Sequence, residues 1–277
     1  MPSHKLELTE HLRQYGIRYF SNDQYWAWGG EQLGERIVEK LTRLREPLQE
    51  ARATPDEVHA FYDFISDQKI GAVVHSMKAD AIRASGEAIE KCIRDRTRIL
   101  DVGCGLGYLT SWYARINPVC HVVGVDYSEK TVRQARRLAG HLGIRNIEFQ
   151  VANIAENATG GTYDAVVDSQ CLSILDSVSP GIVMHCLTNL RAALAPDGIL
   201  VSISAIGDCA TAQGFIEKLQ TSGFGIQAFE FIFHSDLGDH GAYPVMIARP
   251  GIPSVDLNLE ESWQGALLEI NRRQQCS

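Results

Sequence analysis

From Thr97 to Arg249 short runs of β-branched and apolar residues alternate with longer stretches whose apolar positions recur at helical spacing. The short runs read as strands: Arg98 to Val102, His121 to Val125, Ile147 to Val151, Tyr163 to Val167, Gly198 to Ser204, Gln227 to His234 and Tyr243 to Ala248. Helical stretches separate the first five. Ser128 to His141 is one, with Ser128 suited to an N-cap and Gly143 to a stop. Pro180 to Leu194 is another, with a proline fit for a first turn and Pro196-Asp197-Gly198 turning the chain into the next strand. Alternation of this kind predicts a parallel sheet with helices on both faces, an α/β three-layer sandwich. The last two strands are separated by about eight residues, Ser235 to Ala242, without a helix, which predicts an antiparallel pair joined by a loop at one edge.

Residues 1–96 show no strand alternation. Gly34 to Ala53 and Ala72 to Arg94 are helical in composition, and Pro55-Asp56-Glu57 reads as a fresh helix start. Asp256 to Arg273 fits one more amphipathic helix. The expected organisation is a helical extension over 1–96 serving as a lid, a sheet domain over 97–250, and a tail over 251–277.

Chemistry concentrates at the end of the first strand, in Asp101-Val102-Gly103-Cys104-Gly105-Leu106-Gly107-Tyr108. A dinucleotide fingerprint would be Gly-x-Gly-x-x-Gly, and here the third glycine falls one place early. Asp101 would repel a pyrophosphate and attract an ammonium group. Alternating glycines let the backbone approach a ligand and turn tightly into a helix.

This motif resembles the first motif of the class I S-adenosylmethionine-dependent methyltransferases, an acid followed by x-Gly-x-Gly-x-Gly. The resemblance continues in order through Val122-Val123-Gly124-Val125-Asp126-Tyr127-Ser128, Phe149 to Ile154, Tyr163 to Asp168 and Leu190 to Gly198, so it covers roughly 97–250. It implies a Rossmann-like, mostly parallel seven-stranded sheet with its last strand antiparallel, and S-adenosyl-L-methionine as cofactor, leaving S-adenosyl-L-homocysteine. By this resemblance Asp101, Gly103, Gly105 and Gly107 form the cofactor turn, Asp126 accepts from the ribose hydroxyls, and Tyr127 and Ile154 flank the adenine. Asn153, where the family most often has aspartate, would pair with the adenine amine. Asp168, Ser169 and Gln170 would form the lip where the methionine end meets the acceptor, and Tyr62 would close over the cofactor. Each has a plainer alternative: Asp101 as a helix cap, Asp126 as a turn former, Asn153 as a loop residue.

Charge narrows the acceptor. The formal net charge of −8 opposes a phosphate backbone, and neither the extension, the sheet domain nor the tail is net basic. The segment after the fourth strand, Asp168-Ser169-Gln170-Cys171-Leu172-Ser173, lacks the Pro-Pro-aromatic signature of nucleobase amino-methyltransferases and the paired glutamates of protein arginine methyltransferases, and no Pro-Cys dipeptide exists for cytosine C5 chemistry. A small-molecule acceptor methylated at oxygen or nitrogen is expected, with no nucleic acid, membrane or metal involved. The rings of Tyr15, Tyr19, Tyr25, Trp26 and Trp28 could line its pocket, or simply glue the extension to the sheet domain. If the acceptor must lose a proton, His75, His234 and His240 are the candidate bases.

Seven scattered cysteines, never spaced Cys-x-x-Cys, suit a reducing compartment. With charged residues near Met1 and no apolar run approaching ~20 residues, the expected location is cytoplasmic. The extension could also pair two copies as a homodimer. Two alternatives stay open: a cofactor-binding enzyme of the same fold that catalyses a non-methylating reaction such as cyclisation, and a non-catalytic partner subunit.

Overall fold

The computed structural model describes residues 7–49, 53–156 and 160–275. Residues 1–6, on which the export-signal argument rests, and Cys276 lie outside the described residues. Seven strands form one sheet in the order β3-β2-β1-β4-β5-β7-β6. They are β1 (Arg98–Val102), β2 (His121–Asp126), β3 (Ile147–Val151), β4 (Tyr163–Ser169), β5 (Leu194–Ile203), β6 (Phe224–Asp236) and β7 (Asp239–Pro250). Strands β1 to β5 pair in parallel, and β7 is antiparallel to both β5 and β6. Every other strand therefore ends on the same edge as β1, including β6 at the rim.

Among the described residues six α-helices precede β1: α1 (Leu8–Gln14), α2 (Asn22–Leu33), α3 (Glu35–Gln49), α4 (Pro55–Gln68), α5 (Gly71–His75) and α6 (Ala79–Ile93). A 3-10 turn at Ser76–Lys78 divides the stretch the sequence presents as one helix. The remaining helices are α7 (Tyr108–Ile116), α8 (Glu129–His141), α9 (Cys171–Val178), α10 (Pro180–Ala193), α11 (Cys209–Thr221) and α12 (Leu259–Gln275). Local signals account for several starts: Ser128 caps α8 by accepting from Thr131 N–H, and Thr54 with Glu57 forms a capping box at α4.

Alternation along the strands divides the core into two layers. Leu100, Val102, Val123, Val125, Val166 and Leu200 pack with Leu172, Leu187, Phe215 and Trp263 from α9 to α12. Ile99, Val122, Val167 and Val201 pack with Leu12, Phe61, Ile89 and Trp112 from α1, α4, α6 and α7. The N-terminal helices thus share one continuous core with the sheet.

Two sequence expectations are corrected. Ser235 to Ala242 is not an eight-residue loop: β6 and β7 continue through it to a two-residue turn, Leu237-Gly238, with positive φ of 54° and 92°. The two left-handed residues reverse the chain within the ladder, so polar residues that read as a loop remain paired. Pro196-Asp197-Gly198 does not turn into the fifth strand but lies inside β5, as an irregularity between the pairs Tyr163↔Leu194 and Ala165↔Ile199.

Candidate active site

The turn from β1 into α7 sits at the carboxyl edge of the sheet. A side chain at Gly103 would strike Cys171 at 2.4 Å, and one at Gly107 the Phe149 ring at 2.6 Å, so packing demands both glycines. Gly105 differs: with φ of 53°, its Cβ position meets nothing within 4 Å. That open face lies beside Asp126, whose Oδ2 accepts from Gly105 N–H at 3.0 Å while Oδ1 accepts from Ser128 N–H at 2.9 Å. Burial raises the Asp126 carboxyl above its ordinary range, and the two backbone donors oppose that rise. The result is a fixed carboxylate with further lone pairs available, next to a backbone a ligand can approach.

Asp101 is 4% exposed and accepts from Thr110 Oγ1 at 2.6 Å. Burial pushes its carboxyl up to about 7, against the Thr110 hydrogen bond and helped by the negative charges of Asp168 and Asp126. Asp168 is fully buried, its oxygens engaged by Leu172 N–H at 3.0 Å and Ser202 Oγ at 2.7 Å, and burial pushes it up to about 6. It ties β4, β5 and α9 together. Ser169 pairs with Ile203 inside the sheet, whereas Gln170, held left-handed at φ 72°, begins α9 and hydrogen-bonds through its side chain to Tyr243. A left-handed glutamine is a strained backbone, of the kind functional sites retain.

Helix α4 covers the adjoining side. Tyr62 lies within electrostatic reach of Asp126 and Cys171, and burial pushes its hydroxyl up to about 12. Asp63 accepts a short hydrogen bond from Ser128 Oγ, Ser66 meets Thr131 at 2.9 Å, and Lys130 reaches Asp67 at 2.7 Å, so α4 is clasped onto α8. Tyr127, 60% exposed, stands edge-on to His59 at 4.8 Å. Asn153 spends its side chain locally, accepting from Ala155 N–H and donating to Glu156, and Ile154 is buried in the core.

The structure does not bring the three candidate histidines together. His234 stacks on Tyr243 at 4.6 Å, with Nδ1 2.9 Å from Asp236 Oδ2. Register pairs His240 with Ser235, so strand alternation turns it to the hairpin face opposite His234. His75 stands 5.4 Å from the Tyr108 ring, and burial, opposed by the Gly71 backbone, holds it neutral down to about 4. The aromatic cluster is likewise divided. Tyr15 packs under Tyr108 at 5.1 Å, Tyr25 is buried and donates to the Val73 carbonyl, Tyr19 is half-buried, Trp28 lies under Arg18 at 5.5 Å, and Trp26 is 55% exposed.

Sequence reasoning passed over His59, Asp63, Cys171 and Tyr243. Asp63 adjoins the flagged Tyr62, and Cys171 follows the flagged Gln170, but their roles depend on Ser128 and Gly103, dozens of residues away. No helix among the described residues is long and apolar enough to cross a membrane.

A family profile described as a methyltransferase domain matches residues 93–241. The probable (S)-tetrahydroprotoberberine N-methyltransferase 2 of Papaver bracteatum is 33% identical over 75 residues, 27% of this chain and 21% of the relative. The malonyl-[acyl-carrier protein] O-methyltransferase of Bacillus cereus is 28% identical over 104 residues, 38% of this chain and 36% of the relative. The aligned part thus spans well under half of either relative. Among solved structures the [4+2]-cyclase SpnF superposes with a TM-score of 0.56 at 17% identity, covering 73% of this chain and 98% of that chain, a likeness of fold.

Proposed function

The chain belongs to the methyltransferase domain family, and from that premise we propose that it moves a methyl group from S-adenosyl-L-methionine to an oxygen or nitrogen of a small molecule. The observation that carries this reading is the open face of Gly105 beside an Asp126 fixed by two backbone donors. Bound there, the cofactor supplies a methyl already activated by a sulfonium, so catalysis is mostly alignment and exclusion of water. Asp126 would accept from the ribose hydroxyls, and Asp101 would face the amino-acid end. Tyr127 and Ile154 would bound the adenine side, and Asn153 would reach its amine only by releasing Ala155 N–H and Glu156. Tyr62 and the clasped α4 keep water from the reacting atoms. Gln170 and Tyr243 would stand at the acceptor side, and His234, stacked on Tyr243, would take the proton when the acceptor is a hydroxyl. The absence of the nucleobase and arginine signatures after β4 supports a small-molecule acceptor.

Calorimetry with S-adenosyl-L-homocysteine tests the cofactor site. Binding is expected, and Asp126→Ala should weaken it at least about tenfold, the scale of losing hydrogen bonds to a charged group. No binding by the wild-type chain sinks the reading. Product masses then separate the chemistries: methylation adds one CH₂, whereas turnover without a mass change would identify cyclisation.

A further inference from the structure

One face of α4 follows one short stretch of chain, the five residues after Asp126 at the end of β2. His59, Asp63, Ser66 and Asp67 recur at the three- and four-residue spacing of a single helix face. Asp63 accepts from Ser128 Oγ, Ser66 meets Thr131 Oγ1 at 2.9 Å, and Asp67 accepts from Lys130 Nζ at 2.7 Å. At the start of the row His59 stands edge-on to Tyr127, with ring centroids 4.8 Å apart. The first three contacts join α4 to α8 and its cap. The fourth reaches the residue that follows the carboxylate of the cofactor site.

Tyr127 is 60% exposed, although the residues on either side of it are fixed. Asp126 accepts from Gly105 N–H at 3.0 Å and Ser128 N–H at 2.9 Å, and Ser128 Oγ is held between Asp63 and Thr131 N–H. The backbone at Tyr127 is thus set, while its ring stands in water. An exposed side chain changes rotamer within nanoseconds. Affinity for a flat ligand falls with the fraction of time the ring spends elsewhere. His59 limits that loss. The imidazole is half-buried, with Nε2 3.3 Å from Asp63 Oδ1, so Asp63 ties His59 and Ser128 together. An edge-to-face pair uses at most one face of the tyrosine, which leaves the other for a ligand. The plainer account is that His59 only helps to seat α4 on α8, and it makes a different prediction.

We propose that His59 is a positioning residue of the cofactor site: it holds the Tyr127 ring with its open face against the adenine of S-adenosyl-L-methionine. This inference rests on the methyltransferase reading and adds a residue to its site. Through Asp63 and Ser128 the same helix face is bonded to Asp126, so the ring and the ribose carboxylate are oriented together.

The experiment is calorimetry on the full chain with S-adenosyl-L-homocysteine. His59→Ala should weaken binding about three- to tenfold, the worth of an aromatic pair, and His59→Phe, which keeps a ring there, should retain most of the affinity. Tyr127→Ala should cost at least as much as His59→Ala. Adding His59→Ala to Tyr127→Ala should cost less than about a further twofold, because an absent ring needs no support. Unchanged affinity in His59→Ala overturns the proposal. Losses that multiply in the double variant, as a role in seating α4 requires, overturn it too, as does a His59→Phe no better than His59→Ala. Failure of the wild-type chain to bind S-adenosyl-L-homocysteine would instead reject the underlying cofactor reading.

Discussion

Asp101 shows how a single residue couples the site to stability. Its carboxyl titrates near 7 in the folded protein, against 3.8 ordinarily, chiefly because it is buried. Between those values the folded chain holds a proton that the unfolded chain has released, so this residue's contribution to stability falls as pH rises from about 4 to 7 and stays low above. Asp101→Asn removes the buried charge. Urea unfolding should show it gaining about 2–3 kcal/mol over wild type at pH 8 relative to its effect at pH 5, while S-adenosyl-L-homocysteine affinity drops; equal effects at both pH values would refute the argument. Gly241 is a second lever. A Cβ there would meet the His234 ring at 2.8 Å, so Gly241→Ala should push that ring off Tyr243. Methylation of a hydroxyl acceptor should fall about tenfold, a part of the ~10²–10⁴-fold worth of a placed base because the ring is displaced and not removed, with cofactor affinity preserved; unchanged turnover would remove His234 from the proton path. Neither effect could be read along the chain, because each depends on a neighbour brought in by another element.

At the scale of elements, the best-read starts were those with local chemistry: Ser128 at α8, and Pro55 with Glu57 at α4. Helix α9 was missed for a physical reason. It starts from a left-handed Gln170 with no side-chain cap, so none of the usual signals precedes it. The β6–β7 turn was missed similarly, since Leu237 is not a residue that favours positive φ. Replacing it with Asn, which tolerates that conformation, should stabilise the protein by about 0.5–1 kcal/mol, measured by chemical denaturation. A destabilised Leu237→Asn would mean that the leucine side chain, and not its backbone, secures the tip.

For the molecule as a whole, the helices before β1 share a core with the sheet, so unfolding should be one cooperative event that the cofactor site reports. S-adenosyl-L-homocysteine at 100 times its dissociation constant should add about 2.7 kcal/mol and raise the thermal midpoint by roughly 5–10 °C. Separate transitions, only one of them shifted, would show that the helical layer folds on its own. The sequence by itself determined the strand–helix alternation, the glycine turn after Asp101, and the carboxylate closing β2, because periodicity, capping and tight turns act over a few neighbouring residues. Only the tertiary structure decided that Asp168 is spent joining β4, β5 and α9, that His234 and His240 face opposite ways, and that the tip of the β6–β7 hairpin is bonded to the start of α6. Those outcomes depend on strand register and on the meeting of side chains far apart in the chain, which local pattern does not encode.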